Sequence, residues 1–390
     1  MARKALCPTP PMGWNSWNTF TENINEETIC SMADAMVETG LLDAGYDYLV
    51  IDDCWAQEGR GANGELVADP VKFPHGMKAV ADYVHSKGLK FGMYSCCGTK
   101  TCAGYPASFG HEFEDARQFA SWGVDYLKYD NCFKPKSLSS SLLYRRMGIA
   151  LANCGRDIVF SACQWGTEDV HTWIRSTGAH LFRSTEDIRN CWQSIKDIAW
   201  SQMDKQAYSG SYCHNDMDML VVGMYDAGGT SYIAAGGCTD TEYQTHFALW
   251  AMMNSPLMIG CDIRNMSDKT KEILMNRDLI ALNQDIECRA PYRVGSGFNG
   301  AYEDTFVLVK PLSNGELAIG CFNFGENDAS VNLEFWDLGL PATGYGLEIY
   351  DCLSHSVMGT KWEGFAPMVP AHGCRVFRGK VVNKDGSYHG

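Results

Sequence analysis

The chain has 390 residues, 45% of them hydrophobic and 20% charged, an ordinary balance for a folded globular protein and more chain than a single core usually holds. Its 32 Lys and Arg against 47 Asp and Glu leave a net charge of −15, which argues against nucleic acid or an anionic membrane as the main partner. No run of 18 apolar residues occurs, so nothing reads as a membrane span.

Met1 to Pro8 carries Arg3 and Lys4 but no apolar stretch of seven or more, so no export signal is expected and the cytoplasm is the expected compartment. The 17 cysteines are an odd number with no Cys-x-x-Cys pair, so most are expected to be reduced, buried small residues, and no structural zinc is expected.

Strand-like apolar runs then alternate with helical patterns along the chain. The first strand is Pro11 to Trp17, followed by Ile29, Met32, Ala33, Met36 and Val37 at helical spacing, with Asn25 as the cap and Gly40 as the stop. The second is Tyr46 to Ile51, running into Asp52-Asp53-Cys54-Trp55, with a helix through Met77, Val80, Ala81 and Val84 behind it. Leu89 to Tyr94 is the third, and its loop holds Cys96, Cys97 and Cys102. A helix with Phe113, Ala116, Phe119 and Ala120 stops at Gly123 and leads to the fourth, which ends in Lys128-Tyr129-Asp130-Asn131-Cys132. The fifth is Asp157 to Cys163, then Gln164-Trp165-Gly166-Thr167. The sixth is His180 to Arg183, running into Ser184 to Asp187; the seventh ends in His214 to Met219; the eighth is Ser255 to Ile259.

Eight strand-helix repeats over some 280 residues imply a parallel sheet closed as a (β/α)8 TIM barrel. A doubly wound open sheet is the alternative, but no Gly-x-Gly-x-x-Gly follows the first strand. After Gln284 the pattern becomes alternating, with a hairpin signal at Ser313-Asn314-Gly315 and β-patterning through Val331, Leu333, Phe335, Leu347 and Ile349. The expected organisation is therefore a catalytic barrel over residues 1–288 and an antiparallel β-sandwich over 289–390.

The strand ends collect carboxylates, aromatics and a few cations: Trp14, Trp17, Asp52, Asp53, Trp55, Tyr94, Lys128, Asp130, Gln164, Trp165, Arg183, Asp187, Asp216 and Asp218. Any one of them has an ordinary explanation, because a lone aspartate after a strand more often caps the next element and a lone tryptophan is more often core. Their recurrence at successive strand ends of one barrel face points to carbohydrate, whose hydroxyls take charged hydrogen bonds and whose apolar face takes an aromatic ring. Four aspartates could instead hold a divalent cation. Lys128 and Arg183 among them oppose that, so no metal and no cofactor is expected. Lys128 follows apolar Leu127 and needs a partner, for which Asp130 and Asp52 both qualify.

Five ordered motifs, Met12-Gly13-Trp14-Asn15-Ser16-Trp17, Ile51 to Trp55, Lys90-Phe91-Gly92-Met93-Tyr94, Leu127 to Cys132 and Asn215 to Met219, resemble the melibiase family of α-galactosidases, glycoside hydrolase family twenty-seven. The resemblance implies a retaining double displacement with Asp130 as nucleophile and Asp187 as acid/base, Glu186 being a weaker substitute for the latter. It further implies that Asp52 and Asp53 bind O6 and O4, Lys128 and Arg183 hold the O2 to O4 edge, and Trp17 packs on the sugar. Tyr94, Cys163 and Asp218 would line the pocket, and Cys102 and Cys132 would form a disulfide. Gln164 and Thr167 stand where the sugar's 2-substituent is read, and the family's partner for Cys54 is absent, leaving Cys30 as its substitute. Lys128 should keep Asp130 ionised, while Asp187 should start protonated.

The implied substrate is an oligosaccharide with terminal α-galactose. An α-N-acetylgalactosaminidase or β-L-arabinopyranosidase of the same family is the enzyme alternative, and a non-catalytic sugar-binding barrel the alternative from another class. Neither monomer nor homo-oligomer is favoured.

Overall fold

The computed structural model describes residues 6–294, 304–341 and 344–384; the export-signal reading rests mainly on residues 1–5, which lie outside them. The eight expected strands are β1 (Met12–Asn15), β2 (Tyr48–Val50), β3 (Lys90–Cys96), β4 (Tyr126–Asp130), β5 (Val159–Cys163), β6 (Leu181–Arg183), β7 (His214–Asp216) and β8 (Leu257–Ile259). They form one parallel sheet in the order β7-β6-β5-β4-β3-β2-β1-β8. The seam between β7 and β8 is closed by a single residue, Leu220. Its N–H donates to the Met258 carbonyl at 2.7 Å, and the Gly260 N–H donates to its carbonyl at 2.9 Å.

Register brings the polar strand ends to one level. Tyr94 pairs with Lys128 across β3 and β4, Cys163 with Arg183 across β5 and β6, and Arg183 with Asp216 across β6 and β7. Because side chains alternate along a strand, residues in register point the same way, and these converge at the C-terminal mouth of the barrel.

The surrounding helices follow their apolar spacing. The helix Glu26–Glu38 starts on Asn25, whose side chain accepts from the Thr28 N–H, and it buries Ile29, Met32, Ala33 and Met36. It ends at Glu38, two residues before Gly40, and Val37 faces outward at 42% exposure. The helix Glu112–Trp122 stops at Gly123, whose φ of 87° is the left-handed turn that glycine adopts freely. The helix Asp240–Met252 is buried on nearly every side because it lies between the barrel and the second domain. Its Thr245 hydroxyl donates to the His372 carbonyl at 2.8 Å.

The C-terminal domain is a six-stranded antiparallel sheet covered by two short two-stranded ladders, around a core of Val307, Val309, Ile319, Leu333, Ile349 and Phe377. Its first hairpin, Thr305–Pro311 to Leu317–Asn323, turns through Ser313-Asn314-Gly315. The alternation at Val331, Leu333 and Phe335 does not make one strand. It makes the pieces Ala329–Ser330 and Leu333–Glu334, after which Phe335–Leu338 turns into a 3-10 helix that buries Phe335 and Leu338. Fully buried Lys310 ties the two domains, donating to the Leu282 carbonyl at 2.5 Å and the Asn254 side chain at 2.8 Å. Among the described residues no helix is long and apolar enough to cross a membrane.

Candidate active site

A cavity of about 200 Å³ opens at the barrel mouth, lined by Trp17, Asp52, Asp53, Tyr94, Lys128, Asp130, Cys163, Arg183, Asp187 and Asp218, together with Trp165 and Met219. Ligand pockets commonly span ~300–1,000 Å³, so this one suits a single sugar ring.

Asp130, the last residue of β4, is 6% exposed. The Tyr94 hydroxyl donates to its Oδ2 at 3.0 Å and the Asn131 N–H to its Oδ1 at 2.9 Å. Burial pushes the Asp130 carboxyl up to about 6, against the pull of the Lys128 and Arg183 charges. This overturns the expectation that Lys128 alone sets it low: removal of the carboxylate from water outweighs the ammonium. Lys128 instead finds its partner in Asp52, donating from Nζ to Oδ2 at 2.7 Å and lying 5.5 Å over the Tyr94 ring. Asp52 also accepts from the Asn15 amide at 2.7 Å, so the buried carboxylate is paired and hydrogen-bonded. Asp53 accepts from the N–H groups of Cys54 at 2.7 Å and Ala103 at 2.9 Å, which tie the loops after β2 and β3 together.

Arg183 spans the other wall. Its Nη1 donates to Asp218 Oδ1 at 2.6 Å, its Nε to the Thr185 carbonyl at 3.0 Å, and its Nη2 to Asp187. Asp218 has a φ of 80°, a left-handed turn that aspartate tolerates, and its Oδ2 accepts from the Ile188 N–H at 2.7 Å. That bond fixes the segment just after Asp187. The Asp187 side chain is 62% exposed at the mouth, whereas Asp130 lies at the closed end. Burial alone would raise the Asp187 carboxyl, but the charge and hydrogen bond of Arg183 outweigh it and hold the group below its ordinary value. The acid/base candidate is therefore ionised at neutral pH, opposite to the expectation, because the Arg183 guanidinium donates to it. Glu186 is exposed and lies outside the cavity lining.

The family profile described as alpha galactosidase A matches residues 9–285, and that of the alpha galactosidase C-terminal beta sandwich domain matches residues 303–378. The α-galactosidase of Cyamopsis tetragonoloba is 42% identical over 378 residues, which cover 97% of this chain and 87% of that one. The chain belongs to the α-galactosidase family, glycoside hydrolase family twenty-seven. The α-galactosidase of Coffea arabica is 43% identical over 372 residues, covering 95% of this chain and 93% of its own. Among solved structures, α-galactosidase I from Mortierella vinacea superposes with a TM-score of 0.88 at 33% identity, covering 97% of this chain and 98% of that one. The Saccharomyces cerevisiae α-galactosidase with raffinose superposes at 0.85 with 30% identity, covering 96% and 98%. As a member of the family the chain is a retaining glycoside hydrolase.

Two family residues expected at the sugar lie elsewhere. Gln164 is fully buried and donates to the Thr167 hydroxyl at 2.5 Å, while Thr167 is exposed, and neither lines the cavity. Trp165, next in the chain after Gln164, does line it. Cys163 lines the cavity, so by alternation Gln164 points away from it, and the left-handed backbone at Trp165 (φ 62°) and Gly166 (φ 78°) then brings Trp165 to the lining. Gly166 is required there, since a Cβ would sit 2.4 Å from the Ser184 carbonyl oxygen.

The family disulfide is present. Cys102 and Cys132 are bonded, and the Tyr94 hydroxyl lies 3.3 Å from the Cys102 sulfur, so the bond backs the group that contacts Asp130. Cys102, Cys132 and Asp130 also lie at metal-ligand spacing, but with both sulfurs bonded to each other no thiolate is free to bind an ion. Cys54 and Cys30 are both unpaired. Vicinal Cys96 and Cys97 are buried, their thiols donating to the Cys132 carbonyl and the Asn131 side chain.

Proposed function

We propose that this chain releases terminal non-reducing α-D-galactose from galacto-oligosaccharides by double displacement, with Asp130 as nucleophile and Asp187 as acid/base. The supporting observation is the placement of two aspartates in one sugar-sized cavity, one buried at the closed end and one at the mouth. Attack must come from within the pocket, and the leaving group must depart outward past a carboxyl that can protonate it. In the first step Asp130 bonds to the anomeric carbon while the Asp187 proton passes to the departing oxygen. In the second step Asp187 takes a proton from water, which displaces Asp130.

Arg183 links sugar binding to the protonation of Asp187. When a sugar hydroxyl engages the guanidinium, the charge holding Asp187 ionised is shared, and its carboxyl rises toward the range a general acid needs. Asp52, held by Lys128, and Asp53 supply acceptors for O6 and O4, which favours a hexose over an arabinopyranose. Trp17 forms the apolar wall, Tyr94 and Asp218 position Asp130 and Arg183, and Cys163 with Trp165 occupies the wall where a larger acetamido group would need room. Galactose over N-acetylgalactosamine therefore rests on Trp165 rather than on Gln164 and Thr167. A purely sugar-binding barrel would have no use for the Asp130 and Asp187 pair.

The change from the helix Arg277–Asn283 to the strand Tyr292–Val294 supports a domain division between 288 and 289. Fifteen unpaired cysteines beside one disulfide favour a reducing compartment, and hence the cytoplasm. The test is release of nitrophenol from the α-galactoside and the α-N-acetylgalactosaminide, side by side. Turnover of the galactoside that Asp130→Asn abolishes is expected, and turnover confined to the acetamido sugar would refute the substrate assignment.

A further inference from the structure

The cavity lining also holds Ile188, Thr230, Tyr232 and Ile233, to which the proposed galactose contacts give no role. Tyr232 is 59% exposed, so packing does not account for it. It is nevertheless held in place. The Arg189 guanidinium sits 5.6 Å from the ring centroid on one face.

The backbone beneath is tied to the segment that carries Asp187. The Asn190 N–H donates to the Ile233 carbonyl at 2.8 Å, the Gly237 N–H donates to the Asn190 carbonyl at 2.8 Å, and Cys191 bridges Gly237. The Gly229 N–H donates to the Asn18 carbonyl at 2.8 Å, anchoring the near end to the loop after β1. Buried Ile233 pins the turn from below. Tyr232 and Asp187 therefore sit on one braced platform.

We infer that Tyr232 is the stacking platform for the aglycone, and that the group it takes is a second sugar ring or a similarly flat, apolar-faced leaving group. This rests on the proposed assignment of Asp187 as acid/base. The glycosidic oxygen must meet that carboxyl, so whatever is attached to the oxygen lies on the Asp187 side of the mouth, where Tyr232 projects. A pyranose presents one apolar face to an aromatic ring, and Arg189 covers only one side of Tyr232. Arg189, two residues beyond Asp187, acts as a positioning residue for the Tyr232 ring.

The test compares kcat/KM for melibiose, whose leaving group is a hexose, with kcat/KM for α-galactosyl fluoride, whose leaving group makes no stacking contact. In Tyr232→Ala the ratio of the first to the second should fall about two- to tenfold, the range for one aromatic contact. Tyr232→Phe, which keeps the ring, should restore it, and Arg189→Ala should lower the ratio less than Tyr232→Ala, with Arg189→Lys restoring it. An unchanged ratio in Tyr232→Ala, whether both activities hold or both fall together, overturns the inference. A wild-type protein that turns over neither compound would instead refute the underlying galactosidase reading.

Discussion

Asp130→Asn should abolish turnover and at the same time stabilise the fold at neutral pH. Burial raises the Asp130 carboxyl from its ordinary 3.8 to about 6 despite two nearby cations. A carboxyl raised on folding binds more protons folded than unfolded between those values, so stability falls as pH rises from about 4 to about 6, and the loss persists above that. At ~1.4 kcal/mol for each tenfold change, the cost of the buried charge at pH 7.5 is ~3 kcal/mol. Asparagine removes the charge and keeps the shape: its oxygen accepts from the Asn131 N–H, and its amide donates to the Tyr94 hydroxyl in place of the bond it loses.

Allowing ~1 kcal/mol for imperfect replacement leaves a gain of ~2 kcal/mol at pH 7.5, shrinking to about zero at pH 4.5, where the wild-type carboxyl is already largely protonated in the fold. Urea denaturation of both proteins at the two pH values measures it. A variant equal to or weaker than wild type at pH 7.5 would refute the reasoning, because it would mean that Lys128 and Arg183 fully compensate the buried charge.

Other consequences follow from the same geometry. Asp187→Ala should cost ~10²–10⁴-fold in kcat/KM on melibiose and far less on α-galactosyl fluoride, which needs no proton on its leaving group; steady-state kinetics on the pair decides it. Lys128→Met leaves the buried Asp52 with Asn15 and no cation, so it should cost ~3–5 kcal/mol of stability by denaturant titration. Gly166→Ala places a Cβ against Ser184 and strains a left-handed turn, so it should displace Trp165 and lower kcat/KM about tenfold or more, with a stability cost of ~1–3 kcal/mol.

The barrel was legible in the sequence because each strand and each helix is a local pattern. The strand ends could therefore be named, and with them Asp52, Lys128, Asp130, Arg183 and Asp218. What escaped was set by the third dimension. The family resemblance put Gln164 and Thr167 at the sugar, but Gln164 follows the cavity-lining Cys163 and so points away, and Thr167 lies exposed beyond the left-handed turn at Trp165 and Gly166. The seam at Leu220 lies in an apolar run whose role depends on where β8 arrives. Burial raises the Asp130 carboxyl despite Lys128, though it stays ionised at neutral pH, and the contact with Arg183 lowers Asp187; neither the depth of burial nor that contact can be read along the chain. Tyr232 gave no signal at all, since a lone tyrosine in the short helix Ser231–Ala234 gains meaning only beside Asp187.

The central claim, that Asp130 carries the sugar between the two steps, is tested most directly by trapping it. The protein is exposed to a fluorinated α-galactosyl fluoride that deglycosylates slowly, digested, and read by peptide mass spectrometry. One galactosyl adduct on the peptide containing Asp130, absent in Asp130→Asn, is the expected result. An adduct on another residue, or steady turnover of the fluoride by Asp130→Asn, would contradict the account.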